Sequence, residues 1–152
     1  MSKKLLFILI IVILVSLLLF ASAVICCQEE EKGTYSIYFM DEQVGYEEFV
    51  WRTVERGYEL EVMGQITKPV SVQIERLLVQ LDKDFIPLGY QFKGVLSGTR
   101  QSISSTISDG TVHNIIHVEG QKQERTFQIK RDSFLLSNPI FSLYMVITKK
   151  FQ

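Results

Sequence analysis

The two histidines of the chain, His113 and His117, have the spacing of a zinc-binding pair if they lie on a helix. A helix places residues four apart on one face, where two imidazole rings can share one ion. The surrounding segment, TVHNIIHV, instead alternates like a strand, and four residues of a strand span about 13 Å. Two ligands cannot bind one metal over that distance. We therefore predict that both histidines lie on a strand surface and that the chain holds no metal and no cofactor.

Glu59 and Glu61 form the best-spaced carboxylate pair for acid–base chemistry. On one face of a strand their Cα atoms lie about 6.7 Å apart, and inverting glycosidases separate their two carboxyl groups by about 6.5–9.5 Å. The same glutamates alternate with Tyr, Leu and Val, which is the ordinary pattern of a strand with one face in water. A hydrolase is therefore considered only to be rejected. Glu47 and Glu48 point to opposite faces of a strand and cannot pair either.

Motifs for nucleophilic catalysis and for phosphate binding are missing from the sequence. The stretch SISSTISDGTVH combines serine, aspartate and histidine, but it lacks the G-x-S-x-G turn that exposes a catalytic serine. There is no P-loop and no G-x-G-x-x-G motif. Both cysteines, Cys26 and Cys27, end an apolar run, which leaves none in the rest of the chain. We predict no catalytic residues and no enzymatic activity.

Alternation of apolar and polar residues predicts β-strands over most of the chain after residue 33. Turn signals recur about every 8–12 residues, a spacing typical of an all-β antiparallel meander, here of about seven to nine strands. Tyr58, Leu60 and Val62 fall on one face of the third predicted strand. The predicted strands are TYSIYFM, YEEFVWRTVE, YELEVMGQI, VSVQIERLLVQL, LGYQFKGVL, TRQSISSTIS, TVHNIIHV and QKQERTFQIK.

Three local signals refine this strand pattern. Asp41–Gly45 is predicted as a turn between the first two strands. The apolar phase slips near Glu75 and Arg76, which predicts a β-bulge there. Asp109-Gly110, between two alternating segments, is a strong signal for a hairpin because both turn residues need positive φ.

The C-terminal segment has a helical pattern. Asn138 suits an N-cap and Pro139 the first helical position, so we predict a helix over Pro139–Lys150, with a final strand as the rival. One predicted face consists of Ile140, Leu143, Tyr144 and Ile147, and the opposite side carries Phe141, Met145 and Val146. Because such a helix is apolar nearly all round, we expect it to be buried in the concave face of the sheet.

The N-terminal segment Leu5–Cys27 contains only two polar side chains besides its cysteines, Ser16 and Ser22. About 20 apolar residues suffice to cross the hydrocarbon core of a bilayer. Two lysines precede the run and three glutamates follow it, which predicts an N-terminus inside and the remainder outside. A cleaved signal peptide and an uncleaved anchor both fit. A lipoprotein fits less well, since Ile25 precedes Cys26.

This segment sets the predicted organisation and location of the chain. Residues 1–27 are a signal peptide or membrane anchor, residues 28–33 a linker, and residues 34–152 one antiparallel β domain. Without Lys3 and Lys4 the exported part keeps 14 of the 16 basic residues against 17 acidic ones. That balance excludes the basic footprint of a nucleic-acid-binding protein. We expect the domain on the exported side of the cytoplasmic membrane, in the cell envelope.

An export segment followed by an antiparallel meander and an apolar helix resembles the bacterial envelope half-barrels, which include the periplasmic lipoprotein carriers. GTYSIYFMDEQVGYEEF also resembles the opening strand pair of half-barrel domains of unknown function, in which a Tyr-x-Ile-Tyr strand leads to Val-Gly-x-Glu. The matching positions here are Val44, Gly45 and Glu47. The resemblance implies a curved sheet that holds a helix or a lipid in its concavity, and it implies no catalytic residues.

Two functions of different classes follow as expectations. The first is a non-catalytic module that binds an apolar ligand, such as a lipid or lipoprotein, on a concave face formed by Tyr58, Leu60, Val62 and Ile116. The C-terminal helix would then be a lid with its hinge at Asn138 and Pro139. The alternative is a structural or assembly protein that docks onto an envelope partner through its sheet edge or apolar face.

Overall fold

A computed structural model describes residues 30–130, 133 and 140–151 of the chain. These residues form one open sheet of eight antiparallel strands in sequential order, followed by a single 3-10 turn and a short helix. The strands are β1 (Glu30–Phe39), β2 (Glu42–Val54), β3 (Gly57–Ile66), β4 (Val72–Asp82), β5 (Pro87–Leu96), β6 (Thr99–Ser108), β7 (Thr111–Val118) and β8 (Gln121–Gln128). The 3-10 turn is Phe141–Leu143, and the helix, α1, is Tyr144–Lys150. The predicted all-β class with a C-terminal helix is confirmed.

The first hairpin differs from its prediction. β2 begins at Glu42, and the turn consists of Met40 and Asp41 instead of Asp41–Gly45. Both turn residues have positive φ, 50° and 64°, as the tightest two-residue hairpins require. Phe39 therefore pairs directly with Glu42. At its other end β1 begins at Glu30, inside the stretch expected to be a linker.

The predicted bulge in β4 is confirmed. Ile74 pairs with Gly94 and Arg76 pairs with Lys93, so Glu75 is the extra residue. Two consecutive polar side chains can then point to the same face, and the next apolar residue returns to the core. Leu77 is accordingly buried together with Ile74.

The hairpin predicted between β6 and β7 is also confirmed. Asp109 and Gly110 have φ values of 50° and 73°, and they connect strands whose last and first residues, Ser108 and Thr111, pair with each other. Both turn residues adopt the left-handed conformation that the sequence signal requires.

The core lies between α1 with its preceding turn and one face of the sheet. The buried cluster joins side chains of strands β1 to β5 with Ile140, Leu143, Met145 and Val146 of the C-terminal segment. The predicted helical face is thus partly wrong, because Tyr144 is 54% exposed and Met145 is buried in its place. The 3-10 turn at Phe141–Leu143 has three residues per turn, which shifts the phase of the residues that follow.

Two predictions fall outside the described residues. Asn138 and Pro139, the predicted cap and hinge, are not among them. The apolar segment Leu5–Cys27 is not among them either, so its role stays a prediction. Within the described ranges, no helix is long and apolar enough to cross a membrane.

Candidate functional site

The four residues predicted to bind an apolar ligand lie on the same face of the sheet. Leu60 and Val62 have no exposed surface and belong to the core cluster that contains the C-terminal helix. Tyr58 is half-buried at the margin of that cluster. Ile116 lies on β7, where it pairs with Ile103, and is half-buried. The structure therefore places Leu60 and Val62 in the core that includes α1, Tyr58 at the margin of that core, and Ile116 four strands away.

Glu47 holds the C-terminal segment onto the sheet. Its side chain is fully buried on β2. One carboxylate oxygen accepts a hydrogen bond from the backbone N–H of Phe141 at 2.9 Å, and the other accepts from the backbone N–H and the hydroxyl of Ser142 at 2.7 and 2.5 Å. These donors lie where the first helical turn leaves N–H groups without intrahelical partners. A buried carboxylate is thus satisfied by the segment that it anchors.

Gly45 allows the backbones around this anchor to approach closely. A Cβ atom at Gly45 would lie 2.3 Å from the carbonyl oxygen of Gln65, and one at Gly64 would lie 2.3 Å from that of Tyr46. Gly64 pairs with Glu47 across the β2–β3 ladder. The Val44-Gly45-x-Glu47 motif therefore has a structural role here, since it shapes the sheet and docks the helix.

An aromatic stack closes the end of the core nearest the start of β1. Trp51 and Tyr58 stack at 5.4 Å between ring centroids, and Tyr58 and Phe85 stack at 4.5 Å. Phe85 comes from the connection between β4 and β5 and has a φ of 62°. The clustered aromatic residues of the first strands thus partly form core, and no sequence pattern predicted that Phe85 would complete the stack.

A groove of about 400 Å³ runs between β1 and the C-terminal segment. Its apolar and aromatic lining residues are Tyr35, Ile37, Tyr38, Phe141, Tyr144 and Met145, and Ser36 and Thr148 complete it. Tyr38 and Tyr144 are 63% and 54% exposed, so their rings form accessible walls. The base includes the buried Ile37 and Met145.

The lining of this groove favours an uncharged, apolar occupant. None of the described residues that line it is acidic or basic. Ligand pockets of about 300–1,000 Å³ with mostly hydrophobic and aromatic walls and a few polar groups are typical of small-molecule sites. The hydroxyl groups of the tyrosines, Ser36 and Thr148 supply those polar groups.

The rejected catalytic pair is engaged in ion pairs and hydrogen bonds. Glu61 accepts from Arg52 at 2.8 Å and from Arg76 at 2.9 Å, and the hydrogen bond from Arg52 is the main cause that lowers the pKa of Glu61. Glu59 accepts from the side chain of Gln80 at 2.9 Å. A general acid needs a raised pKa, so the environment of Glu61 opposes that role.

The sheet face opposite the helix carries a series of cross-strand ion pairs. Arg52 connects Glu30 of β1 to Glu61 of β3. The bulge residue Glu75 accepts from Lys93 at 3.3 Å and from Arg100 at 2.6 Å. The physical role of this polar face is solvation with weak stabilisation, since exposed pairs contribute about 0–1 kcal/mol each.

The histidines lie on β7, as predicted for a strand surface. Both are exposed, and the Nδ1 of His113 hydrogen-bonds the hydroxyl of Thr126 on β8 at 3.0 Å. His117 pairs with Ser102 on β6 and Lys122 on β8. In the part of the chain that the structure describes, no group of three or more His, Cys, Asp or Glu side chains is arranged to hold a metal ion.

The resemblance to envelope half-barrels rests on residues whose structural roles are now defined. No protein-family model, curated protein or solved structure matches the chain. The family resemblance therefore stays a prediction. In this chain Gly45 and Glu47, the residues that carry it, determine where the C-terminal segment docks.

Sequence reasoning missed the groove because its walls come from opposite ends of the domain. The clustering of Tyr35 and Tyr38 in the first strand was visible in the sequence, and so was the apolar character of the last segment. Their meeting depends on the contacts between Glu47 and Ser142. Glu47, the single charged residue on an otherwise apolar face of its strand, was the signal that could have located the docking point.

Proposed function

We propose that the chain is an exported, non-catalytic envelope domain that binds an apolar ligand, a lipid or the acyl part of a lipoprotein. The observation that carries the proposal is the uncharged aromatic groove between β1 and the C-terminal segment. It replaces the concave sheet face as the primary site, because Leu60 and Val62 are covered by the helix. Tyr38 and Tyr144 are the walls that would contact an acyl chain, and Met145 would lie beneath it.

The location of the domain is part of the same proposal. The apolar run Leu5–Cys27 with lysines on one side supports export, either as a cleaved signal or as an anchor. A sheet curved into a half-barrel around its helix is the finer form of the fold that we propose. An apolar segment docks on one face of the sheet and ion pairs cover the other face. This difference between the two faces supports a sheet that curves around its helix.

The second candidate function is docking onto an envelope protein through the sheet edge. Within the described residues, β1 pairs with β2 on one side and with no strand on the other. An unpaired edge presents N–H and C=O groups to which another chain can add a strand. This alternative predicts a stable heteromer on cross-linking and no bound lipid.

Mass spectrometry of the full chain purified from cell envelopes tests the lipid proposal. We expect a lipid or fatty acid to co-purify with the wild type, and we expect Tyr144→Arg to lose it, because a charge in the groove must be desolvated by an apolar ligand. Met63→Arg is the matched control, since Met63 is 51% exposed on the opposite sheet face. Wild-type protein without any lipid, or equal lipid in both variants, would contradict the proposed site.

A further inference from the structure

Exposed aromatic side chains are concentrated at one edge of the sheet. Of the eight aromatic residues that are exposed in the described part of the chain, six lie on β1 or on the C-terminal segment: Tyr35, Tyr38, Phe39, Phe141, Tyr144 and Phe151. Met40, in the turn that ends β1, is 85% exposed. A contiguous apolar patch on a solvent-exposed protein surface marks an interaction site.

The opposite edge of the sheet has a different composition. β8 has the sequence QKQERTFQ, and all eight of its residues are exposed. Lys122 pairs with Glu124 at 2.6 Å there. Charged side chains of this kind keep an edge strand in water and prevent its association with other surfaces. The two edges are therefore suited to different surroundings.

We propose that the β1 edge, with the turn at Met40 and the outer side of the C-terminal segment, lies on the surface of a phospholipid bilayer. The position of β1 in the sequence indicates a bilayer as the partner, because β1 begins three residues after Cys27, where the apolar run ends. Tyrosine and phenylalanine are the side chains that favour the boundary between headgroups and acyl chains. The inference rests on the export in the proposed function, with Leu5–Cys27 retained as an anchor, and not on occupancy of the groove.

The end of α1 is held close to the start of β1. Lys149 donates a hydrogen bond to Glu31 at 2.5 Å, so Phe151, which is 75% exposed, follows close to the start of the strand. A strand of ten residues spans about 33 Å. If β1 stood upright on the bilayer, Met40 would be that far from the lipid, whereas a strand that lies along the surface brings Met40 to it.

The charge balance indicates which force drives this contact. The exported part has more acidic than basic residues, and Glu30 and Glu31 are at the start of β1. Attraction to anionic lipids therefore contributes little, and burial of aromatic surface is the driving term. The association is expected in vesicles of zwitterionic phosphatidylcholine alone.

Quenching by brominated lipid tests the orientation directly. The full chain is reconstituted in phosphatidylcholine vesicles with or without bromine on the acyl chains, as wild type, Met40→Trp, Phe39→Trp and Phe127→Trp. The native Trp51 is 5% exposed and provides the background. We expect the added fluorescence of Met40→Trp and Phe39→Trp to be largely lost in brominated vesicles, and that of Phe127→Trp, on the far edge, to be retained.

The outcomes separate this inference from the proposed function. Neither Phe39 nor Met40 lines the groove, so an excess of unbrominated fatty acid, which would displace brominated lipid from the groove, should not restore their fluorescence. Quenching without any co-purified lipid would leave the membrane contact standing and the lipid-binding function wrong. Unquenched Met40→Trp and Phe39→Trp, or equal quenching of Phe127→Trp, would overturn the inference.

Discussion

Glu61 shows how a carboxylate that looks suited to catalysis is bound into a structural contact. Its two oxygens accept from Arg52 and Arg76 on the neighbouring strands. A carboxylate in this environment is stabilised in its ionised form. The two arginines on the neighbouring strands, and not the nearby Glu59, determine that the carboxylate of Glu61 stays ionised.

The lowered pKa of Glu61 makes a pH-dependent contribution to stability. The hydrogen bond from Arg52 is the largest cause of the lowering from the ordinary value of 4.5. A group with a lowered pKa in the folded state contributes stability above its unfolded pKa and loses it as the pH falls through the folded pKa. We expect Glu61→Gln to reduce the free energy of unfolding by about 1 kcal/mol or less at pH 7, with the difference from wild type vanishing in acid.

Urea unfolding at a series of pH values from 7 down to about 3 measures that difference. Glu55→Gln, in the exposed turn between β2 and β3, is the control and should follow the wild-type profile. A Glu61→Gln profile parallel to wild type at every pH would contradict the role assigned to the Arg52 hydrogen bond.

The position of α1 depends on one buried contact with β2. Glu47 accepts three hydrogen bonds from Phe141 and Ser142, and the apolar side chains of Leu143 and Val146 then reach the sheet. The helix has only seven residues, too few to be stable alone. Its structure must therefore come from docking.

Replacement of Glu47 by alanine should release this segment. Three donors would lose their acceptor, and Ser142, which is fully buried, would keep polar groups without partners. We expect the free energy of unfolding to fall by about 3 kcal/mol and the variant to bind a hydrophobic dye. Glu48→Ala, exposed on the other face, should change stability by less than about 0.5 kcal/mol. Equal stabilities of the two variants in urea unfolding would show that Glu47 does not anchor the segment.

The strands were predictable from sequence where the alternation of apolar and polar residues alone determines which side chains face the core. Alternation set the faces of β3, and the phase slip located the bulge at Glu75. The exact turn was not predictable by residue type, because Met40 is not a residue that favours positive φ, and pairing of the flanking strands imposes it. The phase of α1 was missed because a 3-10 turn precedes it.

The candidate groove forms only where the two ends of the domain meet. The first strand supplies Tyr35 and Tyr38, and the last segment supplies Tyr144 and Met145. Sequence periodicity reports which face of an element is apolar, but it does not report which distant element covers that face. The predicted residues Leu60 and Val62 accordingly belong to the core, and the groove lies between β1 and the C-terminal segment.

We propose that an apolar ligand binds between β1 and α1. Photolabelling of the full chain with a long-chain fatty acid that carries a diazirine group, followed by peptide mass spectrometry, tests it most directly. We predict that the label attaches to the groove residues Tyr38, Tyr144 and Met145, and that unlabelled fatty acid prevents the attachment. Labelling confined to the opposite face, at Met63 or Ile115, or labelling that unlabelled fatty acid does not reduce, would contradict the claim.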